Sequence, residues 1–513
     1  MRPGDLRRLR AGQTVSMFGD EVTAVALPTV ALLTLHATPL QFGLLTAATY
    51  LPYPLLGLQV GAWVDRMRRR RVMVMADVVR FTAIASIPLA AFAGALTITH
   101  LFVVGLVVGT ASLYFNAAYQ AYLPSIVDAD QITIANVKLS VSETGAQVGG
   151  PPLAGLLIGA LGAAGALAVD AASFLVSVAS LRFIRRAEPG PARDRERRTS
   201  PAPPRRVRRR PRRQRGALRR EIREGLQVVF TDPLIRGLTL TSALSNLGRG
   251  MCLELFLLFA YDGLRLTPGT ASLVLAVGNL GSLAGSLTSG RVTAALGLGP
   301  ALRIGSLLKG LPWVLAPLTL LAPPVPVSMA MILVSSYFVP ISNVTTVSIR
   351  QSLVSRELQG RVASTTRTVT RTMVPLSAVL GGVLANVSTA ALGQRAGLAV
   401  VLAVGGLLWT SATVLLPRRR LERLRTLSDV HRAEPTVPAA PALPSPRGDG
   451  TRQPLEDGTR QPRRDRTRLG RGAPPRRAGA DTRPAEDPKP SPYLNPWPDT
   501  RPSPYAQPAT PSP

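Results

Sequence analysis

The chain has 513 residues, with 60 Lys plus Arg against 29 Asp plus Glu, a net charge of +31, yet 46% of it is hydrophobic and only 17% charged. A disordered basic protein would be poor in apolar residues, and a soluble domain rarely combines a positive mean hydropathy of +0.20 with so few charges. One cysteine, Cys252, excludes an intrachain disulfide framework, three scattered histidines (His36, His100, His431) lack zinc-ligand spacing, and no G-x-x-x-x-G-K-[ST] loop is present to drive a pump with ATP.

Apolar runs joined by short arginine-rich segments are the composition of a multi-pass helical membrane protein. The positive charge flanks apolar helices, so topology explains it better than nucleic-acid binding does. No cofactor, metal or enzyme-type residue cluster is expected. The first apolar run follows the basic start directly, with no small-residue cleavage site, so it is read as a retained span.

A span needs roughly 20 apolar residues. Twelve are read in chain order. The first six cover residues 11–36, 40–63, 72–95, 98–122, 139–160 and 163–183. The second six cover 234–260, 269–292, 301–321, 325–346, 363–388 and 394–416. The expected fold is all-α, with two six-helix lobes at 1–183 and 231–417. Residues 184–230 form a basic linker, ending in an amphipathic helix at about 216–230 that would lie on anionic lipid headgroups. The Pro/Arg-rich tail, 418–513, is expected to be disordered.

Arginine sets the orientation. Residues 1–10 carry four arginines, the join after the second span carries Arg66, Arg68, Arg69, Arg70 and Arg71, and residues 182–223 hold 18. The alternate joins carry few, so both termini are expected in the cytoplasm of a plasma membrane. A repeat of the two halves is suggested by P-L-x-x-x-L-x-G at Pro152 in the fifth span and at Pro375 in the eleventh.

Gly61-Ala62-Trp63-Val64-Asp65-Arg66-Met67-Arg68-Arg69-Arg70 resembles the G-x-x-x-D-R-x-G-R-R loop of the major facilitator superfamily, with Arg68 at the second glycine. Gly149-Gly150-Pro151-Pro152-Leu153-Ala154-Gly155 resembles the G-P-x-x-G-G element of proton-driven drug antiporters, with Ala154 in place of one glycine. Gly12 to Asp20 and Val169 to Phe174 resemble the bacterial macrolide and siderophore exporter branch. The resemblance implies two lobes rocking about a midplane site. It implies export of a small amphipathic compound (a drug, macrolide-like metabolite or siderophore) in exchange for protons. It also implies a conformational lock formed by the loop of Gly61, Asp65, Arg66 and Arg69, in which Asp65 would meet the start of the eleventh span near Arg361 and Arg367. A solvated topogenic loop is the plainer alternative. For Gly149, Gly150, Pro151 and Gly155 that alternative is ordinary close helix packing.

Ionisable groups inside the bilayer suggest function. Asp20, roughly 15 Å into the first span, is the leading proton-coupling residue, with Glu143 the second. Glu21 points about 100° from Asp20, so only one of the two is expected to face the lumen. Asp77 and Arg80 are spaced for an i, i+3 ion pair. Asp170, Arg249 and Glu254 are read as an outer network. Asn116, Tyr114, Tyr119, Asn246 and Lys309 are read as cavity residues, with Lys309 needing a carboxylate or carbonyl partner, or an anionic substrate. The rival readings are an importer of the same fold and a membrane scaffold or sensor acting through its basic tail.

Overall fold

The computed structural model describes residues 3–64, 66–127, 131–184, 227, 229–354 and 356–417. The basic linker, nearly all of the expected amphipathic helix, and the tail lie outside these residues, as does Asp65. Among the described residues there is no strand.

The N-terminal lobe contains α1 (Pro3–Thr29), α2 (Pro39–Tyr50), α3 (Pro52–Val64), α4 (Arg69–Phe92), α5 (Ile98–Ile126) and α6 (Ile132–Arg182). The C-terminal lobe contains α7 (Pro233–Leu258), α8 (Pro268–Leu296), α9 (Leu298–Leu308), α10 (Leu311–Val314), α11 (Pro324–Leu353), α12 (Arg356–Leu392) and α13 (Gln394–Ser411). Nine helices among the described residues are long and apolar enough to cross a membrane. All twelve expected spans fall on helical segments. The fifth and sixth share the 51-residue α6, broken at Gly162, whose φ of 73° suits glycine alone. The second is divided between α2 and α3, and the ninth among α9, α10 and a short 3₁₀ turn, Ala316–Leu320. Prolines at residues 52, 312 and 317 account for these interruptions, because each removes a backbone donor.

Helix starts follow local chemistry. Thr38 caps α2 in a full capping box with Gln41, and Thr267 caps α8. Asp232 caps α7 by accepting from the backbone N–H of Leu234 at 2.7 Å and of Ile235 at 2.9 Å. In all three cases proline occupies the first helical turn, where its missing N–H costs nothing.

The lobes repeat more closely in backbone geometry than in sequence. α1 ends in a π-helical turn, Val30–Thr34, and α7 ends in another, Phe259–Gly263, 229 positions later. Among the described residues the two non-glycine residues with positive φ, His36 (49°) and Arg265 (55°), have the same separation, as do the capping pairs Thr38-Pro39 and Thr267-Pro268. The P-L-x-x-x-L-x-G matches at Pro152 and Pro375 are 223 positions apart and so lie out of this register.

Two equivalent contacts join the lobes, α6 to α8 and α2 to α12, and both depend on small residues. A Cβ at Gly155 would lie 3.0 Å from the Ser272 side chain and 3.1 Å from the Cα of Gly269. A Cβ at Gly382 would lie 2.9 Å from the Pro39 carbonyl oxygen and 3.2 Å from the Cα of Gly43. The Thr29 hydroxyl meets the Tyr261 hydroxyl at 2.8 Å, and Leu32 and Phe42 enter the core of the opposite lobe. These contacts seal the lobes together on the face opposite the arginine-rich joins. Gly155→Leu is expected to lower the thermal unfolding midpoint by the equivalent of about 1–3 kcal/mol through overpacking. Gly159→Leu, at a site with nothing within 4 Å, is the neutral control. Thermal unfolding of the purified protein in detergent distinguishes them.

Candidate functional site

A cavity of about 570 Å³ lies on the inner side of the N-terminal lobe and reaches Glu254 of α7 in the other lobe. Among the described residues its charged lining is Asp20, Glu21, Glu143 and Glu254 against one cation, Arg80. Phe42, Tyr50, Tyr53, Phe115 and Tyr119 supply aromatic surface, and Asn116 and Gln147 supply amides. Such a mixture suits a molecule with an apolar body and a polar or cationic end.

Asp20 and Glu21 both line this cavity, which corrects the expectation that only one of them does. Two side chains about 100° apart on a helix can both border a cavity this wide, and Gly150, where a Cβ would collide with the Cβ of Glu21, lets α1 pack closely on α6 beside it. Glu143, from α6, lines the same cavity and is near enough to Glu21 for their charges to repel. Asn116 lines the cavity beside Tyr53.

Behind Asp20 lies a buried charge cluster. Arg80 is 3% exposed and donates to Asp20 Oδ1 at 3.3 Å and, through its other terminal nitrogen, to the fully buried Asp77. Its guanidinium carbon sits 4.5 Å from the ring centre of Phe115 and 4.4 Å from that of Phe174. A planar cation between two ring faces is held there by both. Ser177 donates to Asp77 at 2.6 Å, and Gln13 donates to Ser177 at 3.2 Å. Asp170 accepts from Thr23 and, at 2.9 Å, from Ser173, and its charge acts on Asp20 and Arg80. The Asp77–Arg80 spacing thus forms the expected pair, and tertiary packing makes it part of a larger group. Asp170 belongs to this group and not to an outer network with Arg249 and Glu254. Those two are charged neighbours of one another near Tyr50.

Three carboxylates in this cluster face one guanidinium. Asp77 and Asp170 are tied by hydroxyl donors inside the lobe, whereas the Asp20 side chain is 50% exposed and opens into the cavity. Asp20 is therefore the member of the cluster best placed to exchange a proton or meet a solute.

Three expected cavity residues, Asn246, Lys309 and Tyr114, lie elsewhere. The Asn246 amide turns back to the Ser242 carbonyl oxygen of its own helix at 2.8 Å. Lys309 is 6% exposed at the α9–α10 break, and its amine donates to Ser342 at 3.2 Å. Its own carbonyl oxygen accepts from Ser335, which in turn accepts from the Trp313 indole N–H at 2.9 Å. The break folds the lysine back onto α11, away from the cavity, and its partner is a hydroxyl. Lys309→Met is expected to leave transport intact and to keep or raise the unfolding midpoint, since a well-packed apolar side chain commonly replaces a buried charge without loss. Transport and thermal-unfolding assays on one preparation check both. Tyr114 faces a separate apolar groove, while Tyr119 faces the cavity.

Of the expected lock, Asp65 and the Arg361 side chain lie outside the described residues. A Cβ at Gly61 would meet nothing within 4 Å. Arg69 donates to the Ala121 carbonyl oxygen at 2.9 Å, Arg70 to that of Arg182 at 2.6 Å, and Arg8 to that of Phe183 at 3.0 Å. These arginines satisfy carbonyls near the ends of α5 and α6 inside their own lobe, as cations near a helix C-terminus do. Arg66 is exposed. Gly149 packs on Phe18, Gly150 on Glu21 and Gly155 on α8, with Pro151 buried, so the glycine-proline element sits between α1 and the other lobe.

Residues 11–371 match the Major Facilitator Superfamily. The chain is 26% identical over 419 residues to the multidrug efflux pump Tap of Mycolicibacterium fortuitum, covering 78% of this chain and 93% of Tap. It is 29% identical over 181 residues to an uncharacterised transporter of that superfamily, YfiS of Bacillus subtilis, covering 35% of this chain but only 42% of YfiS. A bacterial homologue of the iron transporter ferroportin, solved in an inward-facing state, superposes with a TM-score of 0.60 at 18% identity, covering 80% of this chain and 99% of that one. The helical architecture, the two repeated lobes and the match over most of the chain agree: this is a multi-pass membrane transport protein of the Major Facilitator Superfamily.

Proposed function

We propose that the protein exports small amphipathic compounds in exchange for protons, by alternating access around the cavity beside Asp20. The observation that carries this reading is the cavity itself: an aromatic wall, an excess of carboxylates, and one of them, Asp20, bridging the cavity to a buried guanidinium. The efflux function of Tap supports the direction. The twelve helical segments would be twelve spans, with both termini in the cytoplasm of the cell membrane. The lobe seal at Gly155 and Gly382 would open as the cavity is presented to the other side. A proton on Asp20 would cancel its charge, weaken its hold on the substrate and on Arg80, and permit the return step. Each charge moved across 100 mV contributes about 2.3 kcal/mol to the cycle. Gly61, Asp65, Arg66 and Arg69 remain the proposed lock, with Arg69 also bracing α5.

The experiment uses inside-out vesicles energised to an acid interior, with a pH-sensitive dye and a panel of amphipathic drugs and siderophores. Proton release when a compound is added supports antiport. Release absent for every compound in the panel, from vesicles shown to contain folded protein, removes the support for it.

A further inference from the structure

A second pocket lies away from the cavity. It is an apolar groove of about 430 Å³ between α4 and α5, lined by Val72, Met75, Val79, Leu106 and Tyr114, with Met67 at one end. Met75 is 61% exposed, so the groove opens outward, where a multi-pass protein meets lipid tails. On α4 the lining residues 72, 75, 76 and 79 recur at helical spacing. Extending that stripe by one turn reaches Arg71, and Arg68 is the extended residue that caps the start of α4. Met67 therefore enters the groove from a segment whose neighbours are Arg66 and Arg68. The side chains of Arg66, Arg68 and Arg71 are exposed and make no hydrogen bond or ion pair among the described residues, in contrast to Arg69 and Arg70, which are committed to carbonyls. Beside the mouth, Trp63 is 54% exposed and packs on Tyr114, with ring centres 6.4 Å apart. A tryptophan at this level is characteristic of the membrane interface.

We propose that this groove is a headgroup-selective site for an anionic phospholipid, with an acyl chain between α4 and α5 and the phosphate held by Arg68 and Arg71. The charge complementarity is specific. Two arginines without a side-chain partner among the described residues, Arg68 and Arg71, adjoin in sequence the lining residues Met67 and Val72 at one end of a chain-width apolar slot, and guanidinium pairs with phosphate in two-point geometry. A zwitterionic lipid offers the same chain and phosphate but adds a cation that the arginines repel.

The test uses the full chain in nanodiscs of phosphatidylcholine, doped with phosphatidylglycerol carrying a diazirine on one acyl chain. After photolysis, labelled peptides are mapped by mass spectrometry. Labelling is expected within residues 72–79 and 103–111 and is expected to be competed by unlabelled phosphatidylglycerol. Labelling should fall about fivefold for each arginine removed in Arg68→Gln and Arg71→Gln. Met75→Trp, which fills the slot and leaves the arginines in place, should abolish it. Labelling by a phosphatidylcholine probe that matches the phosphatidylglycerol probe would overturn the proposal in favour of an ordinary lipid annulus. Displacement by an amphipathic drug but not by phosphatidylglycerol would overturn it in favour of a substrate entrance.

Discussion

Asp20→Asn is expected to reduce compound-evoked proton release at least about tenfold, a loss of about 1.4 kcal/mol or more of coupling, and to weaken substrate binding as protonation of Asp20 would, while the protein still folds. The substitution keeps the side-chain shape and removes the titrating oxygen. Half of the Asp20 side chain faces the cavity, and its contact to Arg80 is a single 3.3 Å hydrogen bond. Arg80 keeps buried Asp77 as its partner when Asp20 is neutralised, so no buried charge is left without compensation and the unfolding midpoint should hardly move. Glu143→Gln is the comparison. Glu143 shares the cavity but lies outside the Arg80 cluster, so its loss should weaken substrate binding more than proton release. Release that persists in Asp20→Asn and disappears in Glu143→Gln would transfer the proton role to Glu143.

Arg80→Ala is expected to be the most destabilising single change in the N-terminal lobe. It removes the partner of fully buried Asp77, the tie to Asp20, and the cation held between Phe115 and Phe174. Breaking a buried pair by deleting one member costs about 3–5 kcal/mol, because the other charge stays buried without compensation. Arg80→Lys keeps the charge but has neither the two-armed fork nor the flat face. It should fold better than Arg80→Ala yet still lose coupling, since one ammonium cannot bridge Asp77 and Asp20 in the same way. Unfolding midpoints in detergent give the stability order, and proton release gives the coupling order. An Arg80→Ala protein as stable as the parent would show that the cluster is not what ties α1, α4 and α6 together.

The spans were legible because roughly 20-residue apolar runs and arginine-rich joins each have a strong physical signature. The breaks were less so. Pro52 and Pro312 coincide with interruptions, although Pro88, Pro151 and Pro340 lie inside continuous helices, and Thr-Pro or Asp-Pro marks where a helix starts. The true register of the repeat was also in the residues, as Thr38-Pro39 and Thr267-Pro268, but the apolar match at Pro152 and Pro375 drew attention to a different spacing. The site was legible only in part. Asp20, Glu143 and Asn116 stand out as polar groups in apolar helices, and they do meet in one cavity. That Arg80 reaches from Asp77 to Asp20, or that Asp170 joins them, depends on how α1, α4 and α6 pack, which no local pattern encodes. Lys309 misleads for the complementary reason. A lone lysine in an apolar run looks functional, but the chain turns at residues 309–310 and folds its amine onto Ser342.

The central claim is uphill export driven by protons through this cavity. Its most direct measurement is accumulation of a labelled amphipathic compound by inside-out vesicles with an acid interior, with and without a protonophore. Accumulation above the outside concentration, collapsing when the protonophore is added, is the predicted result. Accumulation only in right-side-out vesicles, or accumulation indifferent to the protonophore, would contradict it.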